Sequence, residues 1–224
     1  SVATRGMDHL RNRVTLEINA RVNDDAPFKA QLYGGTVAPQ PNSYEGKEIA
    51  VRRCENTFAV GDSVGMCRFN TKLFNSPTLP DCGDFATQLA TMIGQPVSAE
   101  ELDEVGRNIT GLEHMLNFRL GLRAKDDTLP ARWFEEAIDN GPFKGEKIDR
   151  REFEAMKARF YALTGLNSEG VPNAEWHQKL ALAATGFAVR VELPKPLPGA
   201  PDKAIVIDEA VSSVSELRSA LRRH

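Results

Sequence analysis

The chain has 224 residues, a formal net charge of −3 and 26% charged residues. Its 41% hydrophobic fraction is typical of a globular protein with one large core or two smaller ones. Basic and acidic residues are interspersed, so the composition favours neither a nucleic-acid partner nor a membrane partner. No apolar run approaches the roughly 20 residues that span a bilayer, and the polar start does not resemble a signal peptide. We therefore expect a cytoplasmic protein.

The cysteine pattern excludes two common uses of this residue. There are three cysteines, Cys54, Cys67 and Cys82. An odd number argues against a disulfide framework, and the spacings do not match the C-x-x-C pattern of zinc or iron–sulfur sites. The chain alone is therefore not expected to supply a complete cysteine-bound metal site.

The N-terminal third of the chain gives weak secondary-structure signals. Residues 5–11 (RGMDHLR) are dense in functional side chains where a loose tail is usual, so we expect that Ser1 is not the natural start of the protein. Residues 15–18 predict a short strand or extended piece, and residues 34–42 predict a loop by composition.

A helix is predicted over residues 45–60, leading into a turn with two different ligand chemistries. Ala50, Cys54 and Phe58 share one helical face, so Cys54 is interpreted as a core residue. The following residues, 59–69 (AVGDSVGMCRF), place Asp62 and Cys67 on either side of the glycine at position 65. A carboxylate accepts paired hydrogen bonds and a thiolate binds soft metals. The competing interpretation is a helix C-terminus with a buried, unreactive cysteine.

Two helices are predicted after this turn. One covers residues 84–93 and ends at Gly94, with Cys82 as an inert thiol just before it. The other starts at the capping box of Ser98 and runs to about residue 123. Its predicted buried stripe comprises Leu102, Val105, Ile109, Leu112 and Leu116, and His114 is expected to lie at the surface or half-buried.

The region from residue 125 to residue 184 also predicts helices. Asp126 and Asp127 are interpreted as capping residues before a short helix at Pro130, in preference to metal ligands. Asp149 is expected to cap a helix that ends at Gly165, and Asn173 to cap a last short helix through residue 184. The buried stripe predicted for the Asp149 helix comprises Phe153, Met156, Phe160 and Leu163.

The last part of the chain has a different pattern. Residues 187–193 alternate with period two, residues 204–207 predict a second strand, and Ser213 is expected to cap a helix. The predicted fold class is therefore mainly α, with a helical domain over residues 1–186 and a small ββα segment over residues 187–224.

Five blocks in order resemble the aldehyde:ferredoxin oxidoreductase family, the tungsten enzymes with a bis-pterin cofactor. The blocks are RGMDHLR (5–11), YEGK (44–47), DSVGMC (62–67), LEHMLNFR (112–119) and KDDTLP (125–130). The resemblance extends to about residue 184 and covers only the family's C-terminal helical part. It implies that the family's first domain, with its catalytic glutamate, is absent from this chain.

The resemblance implies a role for each residue of the turn. Cys67 would be one ligand of a 4Fe–4S cluster whose other three cysteines lie upstream in the family. Asp62 would bind the pterin, with the backbone at Gly65 and Met66 approaching the same group. His9 would be the catalytic histidine beside the metal, where it would contact the substrate or move a proton.

The family also implies a reaction and partners for the intact enzyme. An aldehyde would be oxidised to a carboxylic acid at tungsten or molybdenum, with electrons passed through the cluster to a ferredoxin-like acceptor. The alternatives are an aromatic acyl-CoA reductase of the same family and a cofactor-free helical interaction module. The segment from Arg13 to Pro41 is longer than its family counterpart, and Met7 and Asp8 stand where relatives often carry Gly-Cys. The tail resembles half of a ubiquitin-like sulfur carrier but lacks the terminal Gly-Gly.

Overall fold

The computed structural model describes residues 1–6, 8, 10–174, 188–192 and 206–210, and this part of the chain is mainly helical, as predicted. The α-helices are α1 (Ala20–Asn23), α2 (Ala26–Tyr33), α3 (Lys47–Ser63), α4 (Lys72–Asn75), α5 (Cys82–Ile93), α6 (Ala99–Arg119), α7 (Arg132–Glu135) and α8 (Arg150–Thr164). Short 3-10 helices occupy Leu16–Ile18 and Arg68–Asn70.

Helix α3 is the central element of the fold. It packs against α6, α8, α5 and α2, so its buried residues contribute to more than one apolar cluster. Ala50, Cys54 and Phe58 are all buried on it, which confirms the predicted face. Burial also raises the pKa of the Cys54 thiol, as expected for a core residue.

The predicted helix ends are confirmed at several positions. Ser98 and Glu101 form the capping box of α6, and Asp149 accepts a hydrogen bond from the N–H of Glu152 at the start of α8. Gly94 and Gly165 end α5 and α8 with positive φ angles, which glycine adopts without steric cost.

The buried face of α6 differs from the predicted stripe. Leu102 is buried, but Val105, Leu112 and Leu116 are exposed, and His114 is buried, contrary to expectation. Helix α6 is rotated about its axis relative to the predicted orientation, because its contact with α3 is made through Gly106. A Cβ atom at Gly106 would lie 2.5 Å from the carbonyl oxygen of Asn56, so only glycine allows this approach.

Further corrections concern short segments and α8. Residues 16–18 form a 3-10 helix and not a strand, and α2 was not predicted because its apolar residues do not gather on one face.

In α8, Leu163 is exposed, whereas Lys157 is buried and donates to the carbonyl oxygens of Ala124 and Asp127 at 2.9 and 3.1 Å. The Asp127 side chain accepts a 2.6 Å hydrogen bond from the Tyr161 hydroxyl, which is a structural role.

The tail contains an antiparallel strand pair, β1 (Ala188–Glu192) and β2 (Val206–Ala210), with Ala188 opposite Ala210. The second strand begins and ends later than predicted. Of the short helix predicted from Asn173 to residue 184, only residues 173 and 174 are described. The helix predicted to begin at Ser213 lies outside the described residues. None of the described helices combines the length and the apolar character that a bilayer-spanning segment requires.

Candidate metal and cofactor site

The predicted turn is made at Gly65, and the helix before it extends three residues beyond its predicted end at residue 60. Helix α3 continues through Asp62 to Ser63, so Gly61 and Asp62 belong to its last turn. Gly65 has a φ of 75°, and its N–H donates to the carbonyl oxygen of Asp62 at 3.3 Å. The N–H of Met66 donates to the carbonyl oxygen of Gly61 at 2.8 Å. The chain thus reverses at Gly65 and leads to Cys67.

Cys67 is exposed at the start of the following 3-10 helix. Its carbonyl oxygen accepts a 2.9 Å bond from the N–H of Asn70, which fixes the backbone and leaves the thiol at the surface. The alternative of a buried core thiol is therefore wrong for this cysteine. Cys54 and Cys82 are buried, and burial raises the pKa of both thiols.

Asp62 lies at the centre of a charged network. The guanidinium of Arg68 donates to both carboxylate oxygens, with Nε 3.2 Å from Oδ1 and Nη2 close to Oδ2. Arg11 adds a longer contact, with Nη1 3.5 Å from Oδ2. The Asp62 side chain remains 39% exposed, so its carboxylate is still open to a further partner.

The same two arginines tie the N-terminal segment to this turn. Arg68 also donates to the carbonyl oxygen of Leu10, and Arg11 contacts both carboxylate oxygens of Glu113 on α6. Thr4 donates to Glu113 at 2.6 Å. His9 itself lies outside the described residues, but its chain neighbour Leu10 is bound directly to the Asp62–Cys67 turn.

Helix α3 also carries a buried carboxyl group beneath this segment. Glu55 is 5% exposed, and its Oε1 accepts a 3.3 Å hydrogen bond from the side-chain amide of Asn12. Burial raises the pKa of Glu55 to about 8, against the smaller opposing effects of Asn12 and Arg11. Burial thus favours the neutral carboxylic acid form of Glu55.

Met66 differs from its neighbours because its side chain packs inward. It lies half-buried against the cluster that contains Val60 and Phe85. The role of the Met66 backbone at a bound pterin, which the family resemblance implied, stays a prediction.

The sequence pattern singled out Asp62 and Cys67 but did not indicate which residues form ion pairs around Asp62. Arg11 and Glu113 occur in family blocks, yet their pairing spans 102 positions and has no local signal. Arg68 is six residues after Asp62, and nothing in this spacing indicates a paired contact across the turn.

The residues present fit the cofactors implied by the family in part. Cys67 is an exposed thiol suited to one cluster ligand, and the described residues contain no group of three or more metal-binding side chains. A cluster would need further thiolates from elsewhere. The Asp62 carboxylate already accepts paired N–H groups from Arg68, which is the chemistry that an amidine-like pterin edge would use.

The described site is thus an exposed turn on a helical domain that offers one thiol and one carboxylate bound to N–H groups. Residues 1–182 match the family described as aldehyde ferredoxin oxidoreductase, domains 2 and 3. The chain belongs to this family.

Curated relatives include tungsten-containing aldehyde ferredoxin oxidoreductases of Pyrococcus furiosus and Thermococcus kodakarensis. Each is 32% identical over 126 residues, which cover 56% of this chain and 19% of the relative. A P. furiosus protein named as the WOR-like subunit of an aliphatic sulfonate oxidoreductase is 28% identical over 168 residues, which cover 70% of this chain and 24% of that protein. The chain thus spans about a fifth of the length of the relatives that it matches first.

One solved structure has a similar fold. It is the active-site complex BamBC of benzoyl-coenzyme A reductase with 1,5-dienoyl-CoA, matched with a TM-score of 0.50 and 20% identity. The match covers 62% of this chain and 20% of that one. At this identity the likeness concerns the fold alone.

Proposed function

We propose that this chain is part of a tungsten- or molybdenum-pterin oxidoreductase that converts aldehydes to carboxylic acids. Electrons would leave through a 4Fe–4S cluster to a ferredoxin-like acceptor. The observation that carries the proposal is the exposed pair of Asp62 and Cys67 on one turn, in a chain of this family. When bound, the metal–pterin group supplies two-electron redox chemistry and the cluster supplies electron transfer.

This chain's own residues would hold and orient these groups. Cys67 would provide one thiolate to the cluster, and Asp62 would accept N–H groups of the pterin next to the backbone of Gly65 and Met66. Arg68 already binds both the Asp62 carboxylate and the carbonyl oxygen of Leu10, so it would keep the N-terminal segment close to the turn. His9, on that segment, would hold or move a proton at the substrate oxygen.

A second candidate is a reductase of aromatic acyl-CoA substrates in the same family. The likeness to the benzoyl-coenzyme A reductase complex favours it at the level of fold. A cofactor-free helical interaction module is the third alternative. Two assays of the complete protein distinguish the first two candidates: one with a set of aldehydes and an electron acceptor, and one with benzoyl-CoA and a reductant. Metal analysis of the complete protein tests the cofactor-free module, which should contain no tungsten, molybdenum or iron.

The proposed site is tested by substitutions in the complete protein. Cys67→Ser should lower iron and labile sulfide, because the cluster loses one of its four thiolates.

Asp62→Asn should weaken pterin retention about tenfold or more, because a hydrogen bond to a charged group contributes about 1.5–3 kcal/mol. His9→Ala should lower turnover by about 10²–10⁴-fold with unchanged metal content.

Cys54→Ala is the matched control, since this cysteine is buried on the same helix that carries Asp62. It should leave iron, tungsten and pterin contents unchanged. Full cluster content in the Cys67→Ser protein would show that the thiol has no ligand role.

A further inference from the structure

An apolar groove lies beside the turn that carries Cys67. It forms where the two 3-10 helices, Leu16–Ile18 and Arg68–Asn70, both pack on α4. The groove has a volume of about 430 Å³, and its apolar lining comprises Leu16, Ile18, Phe69 and Phe74. Cys67 immediately precedes the second of these 3-10 helices, so the groove begins two residues from the thiol.

Two large apolar side chains of the groove face solvent. Phe69 is 60% exposed and Ile18 is 65% exposed. Phe69 is nevertheless held in place, because its ring packs edge-on against Phe74 with 5.0 Å between the ring centroids. Its carbonyl oxygen also accepts a 3.3 Å hydrogen bond from the side-chain amide of Asn75. Exposed aromatic side chains in a fixed position are typical of the centre of a protein–protein interface.

The groove also carries an arginine without an acidic partner. The guanidinium carbon of Arg13 lies 5.3 Å from the centre of the Phe74 ring, and Arg13 forms no ion pair with any residue that the structure describes. None of the described residues that line the groove is acidic. Arg11 and Arg68, in contrast, already bind carboxylates. An occupant that fits this groove therefore offers an apolar side chain and a carboxylate.

The proposed cluster determines which polypeptide comes close to this groove. A 4Fe–4S cluster needs three ligands besides Cys67, and Cys54 and Cys82 are buried in the core. The polypeptide that brings the other thiolates must approach Cys67 to within the width of one cluster. An electron acceptor supplies no ligand, so it is not required to come so near. The first of these two partners is therefore the one that the position of the groove favours.

We propose that this groove is the docking surface for the polypeptide that supplies the other thiolates of the cluster. An apolar side chain of that polypeptide packs on Phe69 and Ile18, and a carboxylate pairs with Arg13. The docking holds the remaining cysteines against Cys67, so the groove contributes to cluster retention without providing a ligand. This inference rests on the proposed function, in which Cys67 is a cluster ligand.

Hydroxyl-radical footprinting of the 224-residue chain and of the complete protein measures this docking directly. Phe69 should be oxidised readily in the 224-residue chain, in which it is 60% exposed. In the complete protein its oxidation should be several-fold slower, because the docked polypeptide excludes solvent from the ring. Equal oxidation in the two proteins would overturn the inference. Slow oxidation in the 224-residue chain would also overturn it, because the chain's own residues or a second copy would then fill the groove.

Phe69→Asp and Ile18→Asp test the two sides of the groove in the complete protein. A chelator should remove iron about tenfold faster from each variant, because loss of a central interface side chain weakens binding by about this factor or more. Ile18 is the more informative position, since it lies on the 3-10 helix that Cys67 does not precede. Met92→Asp is the matched control, because Met92 is 82% exposed on α5 and does not line the groove. Its iron should be removed at the unmodified rate.

The comparison with Cys67→Ser separates this inference from the proposed function. If Cys67→Ser loses iron while both groove variants behave like Met92→Asp, the thiol is a ligand and the docking inference is wrong. If Cys67→Ser retains its iron, the proposed function itself fails. Equally fast iron loss from Met92→Asp would show a general effect of surface charge and would also contradict the docking inference. The footprint of the unmodified proteins decides the matter even if a variant does not fold.

Discussion

At the scale of single residues, the site separates into what a local pattern indicates and what only tertiary contacts create. The spacing of Asp62, Gly65 and Cys67 indicated a turn with two ligand chemistries, but it left a buried, unreactive cysteine as an alternative, which the exposed position of Cys67 excludes. The partners of Asp62 could not be predicted, because Arg11 is 51 positions away and meets Asp62 only through the packing of the N-terminal segment on α3 and α6. Long-range ion pairs leave no periodic signal in a sequence.

His114 gives a prediction about acid stability. It is 9% exposed, its ring lies at the edge of Phe160, and its Nε2 has no hydrogen-bond partner among the described residues. Burial lowers the pKa of His114 to about 4, against the smaller opposing effect of Glu113. The unfolded chain, with an ordinary pKa near 6.5, therefore binds more protons, so the free energy of unfolding should fall as the pH drops from 6.5 to 4.

The expected loss attributable to this residue is about 3 kcal/mol over that interval. His114→Leu should remove this part of the pH dependence and should be the more stable form at pH 5. Urea unfolding of both chains at several pH values measures the difference. Parallel stability curves for the two chains would show that His114 is not held neutral by burial.

At the scale of elements, the helix ends were predictable and the contact faces were less so. Capping residues and terminal glycines act locally, so Ser98, Asp149, Gly94 and Gly165 could be recognised in the sequence. The buried face of α6 could not be predicted in this way. The periodic pattern depends on large apolar residues, whereas the helix approaches α3 through Gly106. Small residues at a close contact between helices carry no hydrophobic signal.

Gly106→Ala tests this contact. The added Cβ atom would lie 2.5 Å from the carbonyl oxygen of Asn56, which is backbone and cannot move without displacing α3. The substitution should therefore lower the free energy of unfolding by about 1–3 kcal/mol, as overpacking of a core does. Urea unfolding of the 224-residue chain measures the change.

Gly61→Ala is the matched control, because this glycine also lies inside a helix. A Cβ atom there would meet its nearest neighbour, Phe85, at an ordinary 3.8 Å. The higher helix propensity of alanine should leave stability unchanged or raise it by up to about 1 kcal/mol. Equal effects of the two substitutions would mean that the close approach at Gly106 does not constrain the fold.

At the scale of the whole molecule, the match to the first curated relatives covers only about a fifth of their length. The family match ends at residue 182, and the division into domains at residues 186 and 187 stays a prediction. The exposed face of α6, with Val105, Leu112 and Leu116, is accounted for by the rotation of that helix. The network of Arg11, Arg68 and Asp62 is formed by this chain's own residues, whereas the cluster ligands proposed to accompany Cys67 are not among the described residues.

This incompleteness leads to a prediction for the isolated chain. A 4Fe–4S cluster takes four ligands, usually thiolates, and the whole sequence contains three cysteines. Cys54 and Cys82 are buried in the core, so only Cys67 can reach a cluster at the surface without unfolding of α3 or α5. The purified 224-residue chain should therefore bind no stoichiometric cluster after anaerobic incubation with iron and sulfide.

Iron and labile-sulfide analysis and visible absorbance check this outcome, with Cys67→Ser as the reference. The two chains should give the same low values, because one thiolate on its own does not retain a cluster. A stoichiometric cluster in the unmodified chain would instead require Cys54 and Cys82 to leave the core, and the free energy of unfolding would then have to change with metal loading. Such a result would contradict both the structural role of these two cysteines and the proposal that the remaining ligands come from outside this chain.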